Sequence, residues 1–194
     1  MTIPQAKALI ETLNKKGIIF DDGLNDQETD RLESRFDIIF PNDLKLFLQH
    51  ALPVSDGFIN WRQGLTSKEK AENIVSRISQ PLEGMIYDIK NNGFWFDQWG
   101  DKPKEFDDQF EIATNHYFTY PKLIPIYSHR YIPNQPRESG NPVFSVQQMD
   151  IIYYGYDLAS YFAKEFKFEL PEYFEILTEP KVEIKFWSNW TVYN

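Results

Sequence analysis

Residues 121–166 read PKLIPIYSHRYIPNQPRESGNPVFSVQQMDIIYYGYDLASYFAKEF, and this stretch decides the fold. Three short runs, Leu123–Tyr127, Pro142–Val146 and Ile151–Tyr154, are rich in β-branched and aromatic residues with turn residues between them, the mark of strands. After Gly155 the period changes. Leu158, Tyr161, Phe162 and Phe166 recur at helical steps and so share one helix face. Pro133, Pro136, Gly140 and Pro142 fall between the first two strands, so the chain leaves the sheet there as an ordered excursion and returns. Phe144, Ile151, Ile152, Leu158 and Phe162 belong to the core.

Upstream, the spacing predicts a helix over 3–15: Thr2 is a good N-cap, Pro4 suits the first turn, and Leu9, Ile10 and Leu13 make the apolar stripe. Gly17 ends it. Ile18–Phe20 runs into a turn at Asp21-Asp22-Gly23, and Asn25 or Asp26 caps a largely polar surface helix to about Phe36. A third helix follows Pro41, capped by Asn42, with Leu44, Phe47 and Leu48 inward, and stops near Ala51-Leu52-Pro53. Phe58–Trp61 reads as an edge or loop segment. Thr66 with Glu69 forms a capping-box pattern for a helix burying Ile74, Val75 and Ile78, which Pro81 breaks into two pieces closed by Asn91-Asn92-Gly93. Pro103 opens a further helix in which Phe106, Phe110, Ala113 and Tyr117 share a face.

Downstream, Pro171 and Pro180 are breaks, and Val182–Phe186 alternates as a half-exposed strand or a docked extended tail. The sum is an α+β fold: a small antiparallel β-sheet flanked by several helices. With 194 residues, 42% of them apolar and no linker or repeat, the chain fits one domain.

There are no cysteines, which removes disulfides and thiolate chemistry. No continuous apolar segment suggests a membrane span, so the expected compartment is the cytoplasm, where the sequon Asn189-Trp190-Thr191 has no meaning. A net charge of −9 opposes nucleic-acid phosphates and favours encounter with a basic protein, although an acidic surface also serves solubility.

Signatures of chemistry are missing: there is no nucleophile elbow, phosphate-binding glycine loop or paired-histidine zinc helix, and no cofactor motif. Asp21-Asp22-Gly23 resembles a calcium loop but has its glycine at the wrong place. The three histidines, His50, His116 and His129, lie in different predicted elements, so no metal site is expected. His129 with Asp150 or Asp157 suits acid–base work, or else His129, Arg130 and Tyr131 tie the Pro-rich excursion to the sheet. Two acidic clusters stand out: Asp21, Asp22, Asp26, Glu28 and Asp30, then Asp97, Asp101, Glu105, Asp107, Asp108 and Glu111. Beside the second, Trp95 and Trp99 are candidate surface anchors. Acid steers a basic partner and tryptophan supplies buried contact, which makes Trp95, Trp99, Asp97, Asp101, Asp107 and Asp108 the candidate partner-binding residues.

The motifs Leu123-Ile124-Pro125-Ile126, His129-Arg130-Tyr131, Gly140-Asn141-Pro142-Val143-Phe144-Ser145, Asp150-Ile151-Ile152, Tyr154-Gly155 and Asp157-Leu158 resemble those of the SMI1/KNR4 proteins of the SUKH superfamily. The upstream block Phe40–Leu48 looks like that family's early helix, and Phe186-Trp187-Ser188 like its ending. The likeness spans residues 24–188, is thin over 62–115, and leaves 1–22 as an N-terminal helical extension. It implies a non-catalytic protein-binding module without a cofactor, of the type that neutralises a secreted or contact-dependent toxin as a bacterial immunity protein. A regulatory scaffold of a cell-wall or signalling pathway is the alternative it implies. His129, Arg130, Tyr131, Pro142, Asp150 and Gly155 match the structural motif of the family. An enzyme built on His129, Arg130 and Asp150 is the remaining class.

Overall fold

The structure, a computed structural model, describes residues 1–191. It is α+β with two antiparallel sheets. The smaller pairs β1 (Phe20–Asp22) with β2 (Ala51–Pro53), and the larger is a meander in the order β3 (Leu123–Tyr127), β4 (Arg130–Pro133), β5 (Val143–Gln147), β6 (Asp150–Gly155). The small sheet departs from the expected turn at 21–23: Asp21 pairs with Leu52, and this long-range ladder overrides the turn propensity of Asp-Asp-Gly. β4 is likewise a strand where the end of one was expected. Ser128, in the left-handed region at φ 45°, folds the chain back so that Arg130–Pro133 lies between β3 and β5.

The helices are α1 (Ile3–Lys15), α2 (Asp26–Phe36), α3 (Asn42–His50), α4 (Trp61–Thr66), α5 (Lys68–Asn91), α6 (Phe106–Tyr117) and α7 (Leu158–Phe166). Thr2, Asn25 and Asp157 each close a capping box on α1, α2 and α7. α3 has Pro41 at its N-cap rather than Asn42 and no side-chain cap. Its orphan Asn42 N–H donates instead to the Arg137 carbonyl at 2.9 Å, and Asp43 Oδ2 accepts the Gly140 N–H at 3.1 Å. The excursion between β4 and β5 therefore serves as the cap of α3. Asn141 pins that excursion shut, its side-chain N–H₂ donating to the carbonyls of Pro133 (2.9 Å) and Pro136 (2.7 Å).

α4 was not expected; Asn60 caps it by accepting the Gln63 N–H. Ser67 rather than Thr66 caps α5, because Thr66 closes α4. α5 runs unbroken through Pro81 for 24 residues, a correction to the two pieces expected. A proline inside a helix removes one N–H from the ladder and crowds the carbonyl four residues back, here that of Arg77. The Tyr131 hydroxyl lies 3.0 Å from this carbonyl and supplies the missing donor.

Strand side chains alternate between faces, and each face of the large sheet carries its own core. Ile124, Ile126, Ile132 and Val143 pack with Leu9, Leu32, Phe47, Trp61, Ile74 and Phe162, on helices α1–α4, the start of α5, and α7. Leu123, Tyr131, Phe144, Val146, Ile151 and Tyr153 pack with Met85 and Ile89 on α5, Ala113 and Tyr117 on α6, Trp99 in the segment between those helices, and Ile184, Phe186 and Trp187 of the tail. α5 joins the two cores. Of the expected core residues, Phe144, Ile151, Leu158 and Phe162 are buried, whereas Ile152 is only half-buried and Val75, expected inward, is exposed. The tail adds no strand over 182–186. It docks by side chains, with the Trp187 indole N–H donating to the Pro121 carbonyl at 2.8 Å.

Candidate partner-binding surface

The motif residues of the large sheet are spent on the fold. Arg130 is buried on β4: Nε bonds Glu165 Oε2 on α7 at 2.9 Å, Nη1 donates to Ser145 Oγ at 2.9 Å, and the guanidinium lies 3.6 Å from the centroid of the Tyr154 ring. Tyr131 is buried against α5, and burial pushes its hydroxyl pKa up, so it stays a donor. Neither holds the Pro-rich excursion, which Asn141 and Asp43 secure instead. Pro142 is buried at the mouth of β5, and Gly155 sits so close to α7 that an added Cβ would meet the Tyr161 backbone at 2.5 Å.

His129 is exposed in the β3–β4 turn with Nδ1 3.1 Å from Ser128 Oγ. Partial desolvation and the neighbouring Arg130 guanidinium hold its pKa below the usual histidine value. Asp150 is exposed at the start of β6 and Asp157 is consumed as the α7 cap, and among the described residues no ion pair joins either to His129. The geometry thus separates the groups that acid–base work would need to bring together. Among the described residues, no group of three or more His, Asp or Glu is placed to hold a metal ion.

The first acidic cluster is partly built into the fold. Arg62 on α4 pairs with Glu28 at 2.6 Å and donates to the carbonyls of Asp22 and Gly23, while Asp26 accepts from Gln49. The Arg62 guanidinium holds the Glu28 carboxyl below its ordinary value. A cleft of about 140 Å³ opens beside the buried Asp43, between the excursion and the tail. Burial pushes the Asp43 carboxyl up, against the two backbone N–H groups of Leu44 and Gly140 that it accepts.

The second cluster is free. Asp97, Asp101, Glu105, Asp107, Asp108 and Glu111 are all exposed, and the ion pairs formed among the described residues include none of them. The tryptophans beside them behave differently from expectation. Trp99 is 7% exposed, donates to the Tyr120 hydroxyl at 2.7 Å and stacks on Phe186, so it is a core residue and no surface anchor. Trp95 is half-buried against Trp99, with its indole N–H already bonded to the Gly100 carbonyl at 2.8 Å.

Exposed aromatics next to this cluster are found on α6 and at its C-cap, and others, Tyr87 and Tyr173, lie elsewhere. Phe110 is 45% and Phe118 69% exposed, and Phe110 does not share the buried face with Phe106, Ala113 and Tyr117. Gln109 takes that place, buried and donating to the Pro103 carbonyl at 2.7 Å. The inward set is therefore 106, 109, 113 and 117, and the polar identity of Gln109 hid it from hydrophobic periodicity. At 3.6 residues per turn, Phe110 stands at the edge of the buried face, its ring 6.3 Å from that of Phe106, and Asp107 and Glu111 follow on the same flank, with Phe118 at the C-cap in helical geometry and its ring 5.7 Å from that of Tyr117. Sequence reasoning missed Phe110 and Phe118 as surface residues; their spacing of eight, with acids at 107 and 111 between and beside them, was the available signal.

No family model, curated protein or solved structure matches the chain. The likeness to the SMI1/KNR4 proteins thus rests on the motif residues quoted above. No helix among the described residues is long and apolar enough to cross a membrane.

Proposed function

We propose that this is a cytosolic, non-catalytic binding protein of the SMI1/KNR4 type, acting as an immunity protein that occludes a basic toxin domain. The observation that carries this reading is the exposed surface of α6 and the segment before it, which carries six carboxylates without a cation partner among the described residues together with the solvent-facing Phe110 and Phe118. Carboxylates left unpaired at a surface raise the rate of encounter with a cationic partner, and aromatic side chains left in water supply the area that slows dissociation. The net charge of −9 acts in the same direction at long range. Neutralisation is stoichiometric: the complex covers the toxin and nothing turns over. Engagement of Arg130, Tyr131 and Gly155 in packing supports a binding role over an enzymatic one, because it commits these motif residues to the fold.

The test is capture of the partner by the purified protein from its source, followed by calorimetric titration of the captured protein at low and at high salt. A one-to-one complex with a basic toxin domain that weakens as salt rises is the expected result. A tight complex indifferent to salt removes the acidic surface from the explanation. Failure to bind any toxin expressed by the source overturns the immunity role.

A further inference from the structure

We infer that the outer face of α6 is a docking platform for one basic amphipathic helix of the partner protein, an inference that rests on the binding-module reading and names its contact. Phe110 and Phe118 are eight residues apart, about 12 Å along the helix axis and about 80° around it, and so bound one flank of α6. An amphipathic helix that crosses this flank obliquely presents apolar residues at seven-residue intervals, about 10.5 Å apart, a spacing that reaches from one ring to the other. Each ring leans on a neighbour, Phe110 on Phe106 at 6.3 Å and Phe118 on Tyr117 at 5.7 Å, yet keeps 45% and 69% of its surface in solvent, while α6 is held by Ala113, Tyr117 and the Gln109 hydrogen bond.

Charge decides what covers the rings. Asp107 and Glu111 lie on the same flank, Asp107 between the directions of the two rings, and neither has a cation partner among the described residues. Covering the two rings with an acidic or neutral helix would place like charges together or strip carboxylates of water without compensation, whereas Lys or Arg flanking the apolar stripe pairs with them. A second copy of this chain is excluded by the same argument, since its α6 would bring the same acids against these.

The probe is a fluorescein-labelled helical peptide of leucine and lysine, LKKLLKLLKKLLKL, titrated by anisotropy, with its Lys→Glu counterpart as control. Wild-type protein should bind the basic peptide and not the acidic one. The double substitution Phe110→Ser, Phe118→Ser should weaken binding at least about tenfold while the protein keeps its helical circular-dichroism signal and a cooperative melt. Val75→Ser, an exposed apolar residue on α5, should leave binding unchanged. Asp107→Asn with Glu111→Gln should flatten the dependence of affinity on salt. Equal binding by the wild type and the Phe110/Phe118 variant, or an equal loss from Val75→Ser, overturns the platform. The two readings fail separately. A captured partner that binds the double variant with wild-type affinity removes this face and keeps the binding protein; absence of any partner for the wild type removes the binding protein itself.

Discussion

The Tyr131 hydroxyl stands 3.0 Å from the carbonyl oxygen of Arg77, the acceptor that Pro81 leaves without a donor in α5. The same hydroxyl is 2.9 Å from Gln80 Oε1; turning that amide to offer its N–H₂ leaves the phenolic proton for the carbonyl. A strand residue thus completes a helix that its own sequence interrupts, and it does so where α5 passes from one core to the other.

Tyr131→Phe should cost about 1–2 kcal/mol, the penalty of an orphaned buried carbonyl. In a Pro81→Ala background the ladder regains its own N–H, and the same substitution should cost about 1 kcal/mol less. Urea denaturation of the four proteins in this cycle measures the difference; additive losses would show that the hydroxyl does not serve the Pro81 gap.

Arg130 and Glu165 form a pair whose side chains are only 10% and 15% exposed. Glu165→Ala leaves a guanidinium with little water and no counter-charge and should cost about 3 kcal/mol. The double variant Arg130→Met, Glu165→Met should recover most of that loss, because it removes the stranded charge. A double variant as unstable as the single one would place the cost in packing against Tyr154 instead.

Gly155→Ala should destabilise by about 2 kcal/mol or more, since the added methyl would meet Tyr161 N and Cα at 2.5 Å and both belong to backbone. Thermal melts read this directly. A melt unchanged from wild type would mean that β6 and α7 separate at little cost.

Arg62 joins α4 to α2 and to the end of β1 through Glu28 and the carbonyls of Asp22 and Gly23. Arg62→Ala should cost about 2 kcal/mol at neutral pH. The folded Glu28 pKa lies below its unfolded value, so its share of stability is present above the unfolded value and lost as pH falls through the folded one. The deficit of Arg62→Ala should therefore shrink between about pH 5 and pH 3. A deficit constant across that range would assign the loss to the carbonyl contacts alone.

Elements specified by neighbours in sequence were legible in it. Thr2 and Asn25 cap the helices expected after them, the apolar steps of α7 are regular, and β5 and β6 form a tight hairpin of alternating apolar residues. Elements specified by distant neighbours were not. Asp21-Asp22 becomes a strand through Ala51 and Leu52, α5 survives Pro81 through Tyr131, and α3 is capped by a carbonyl at Arg137.

The candidate surface divides along the same line. The acidic cluster was readable because long, charged side chains stay in water wherever the backbone goes. The aromatics were not, because a ring is equally content in a core or on a partner, and only the rotation of α6 decides which. A buried Gln109 set that rotation, moved Phe110 outward, and left Trp99 to fill the core under the tail. Composition and local pattern by themselves determined the α+β class, the caps of α1 and α2 and the acidic charge. Tertiary contacts alone decided the fourth strand, the continuity of α5 and which aromatic rings face water, since each turns on a donor, acceptor or packing partner far away in the chain.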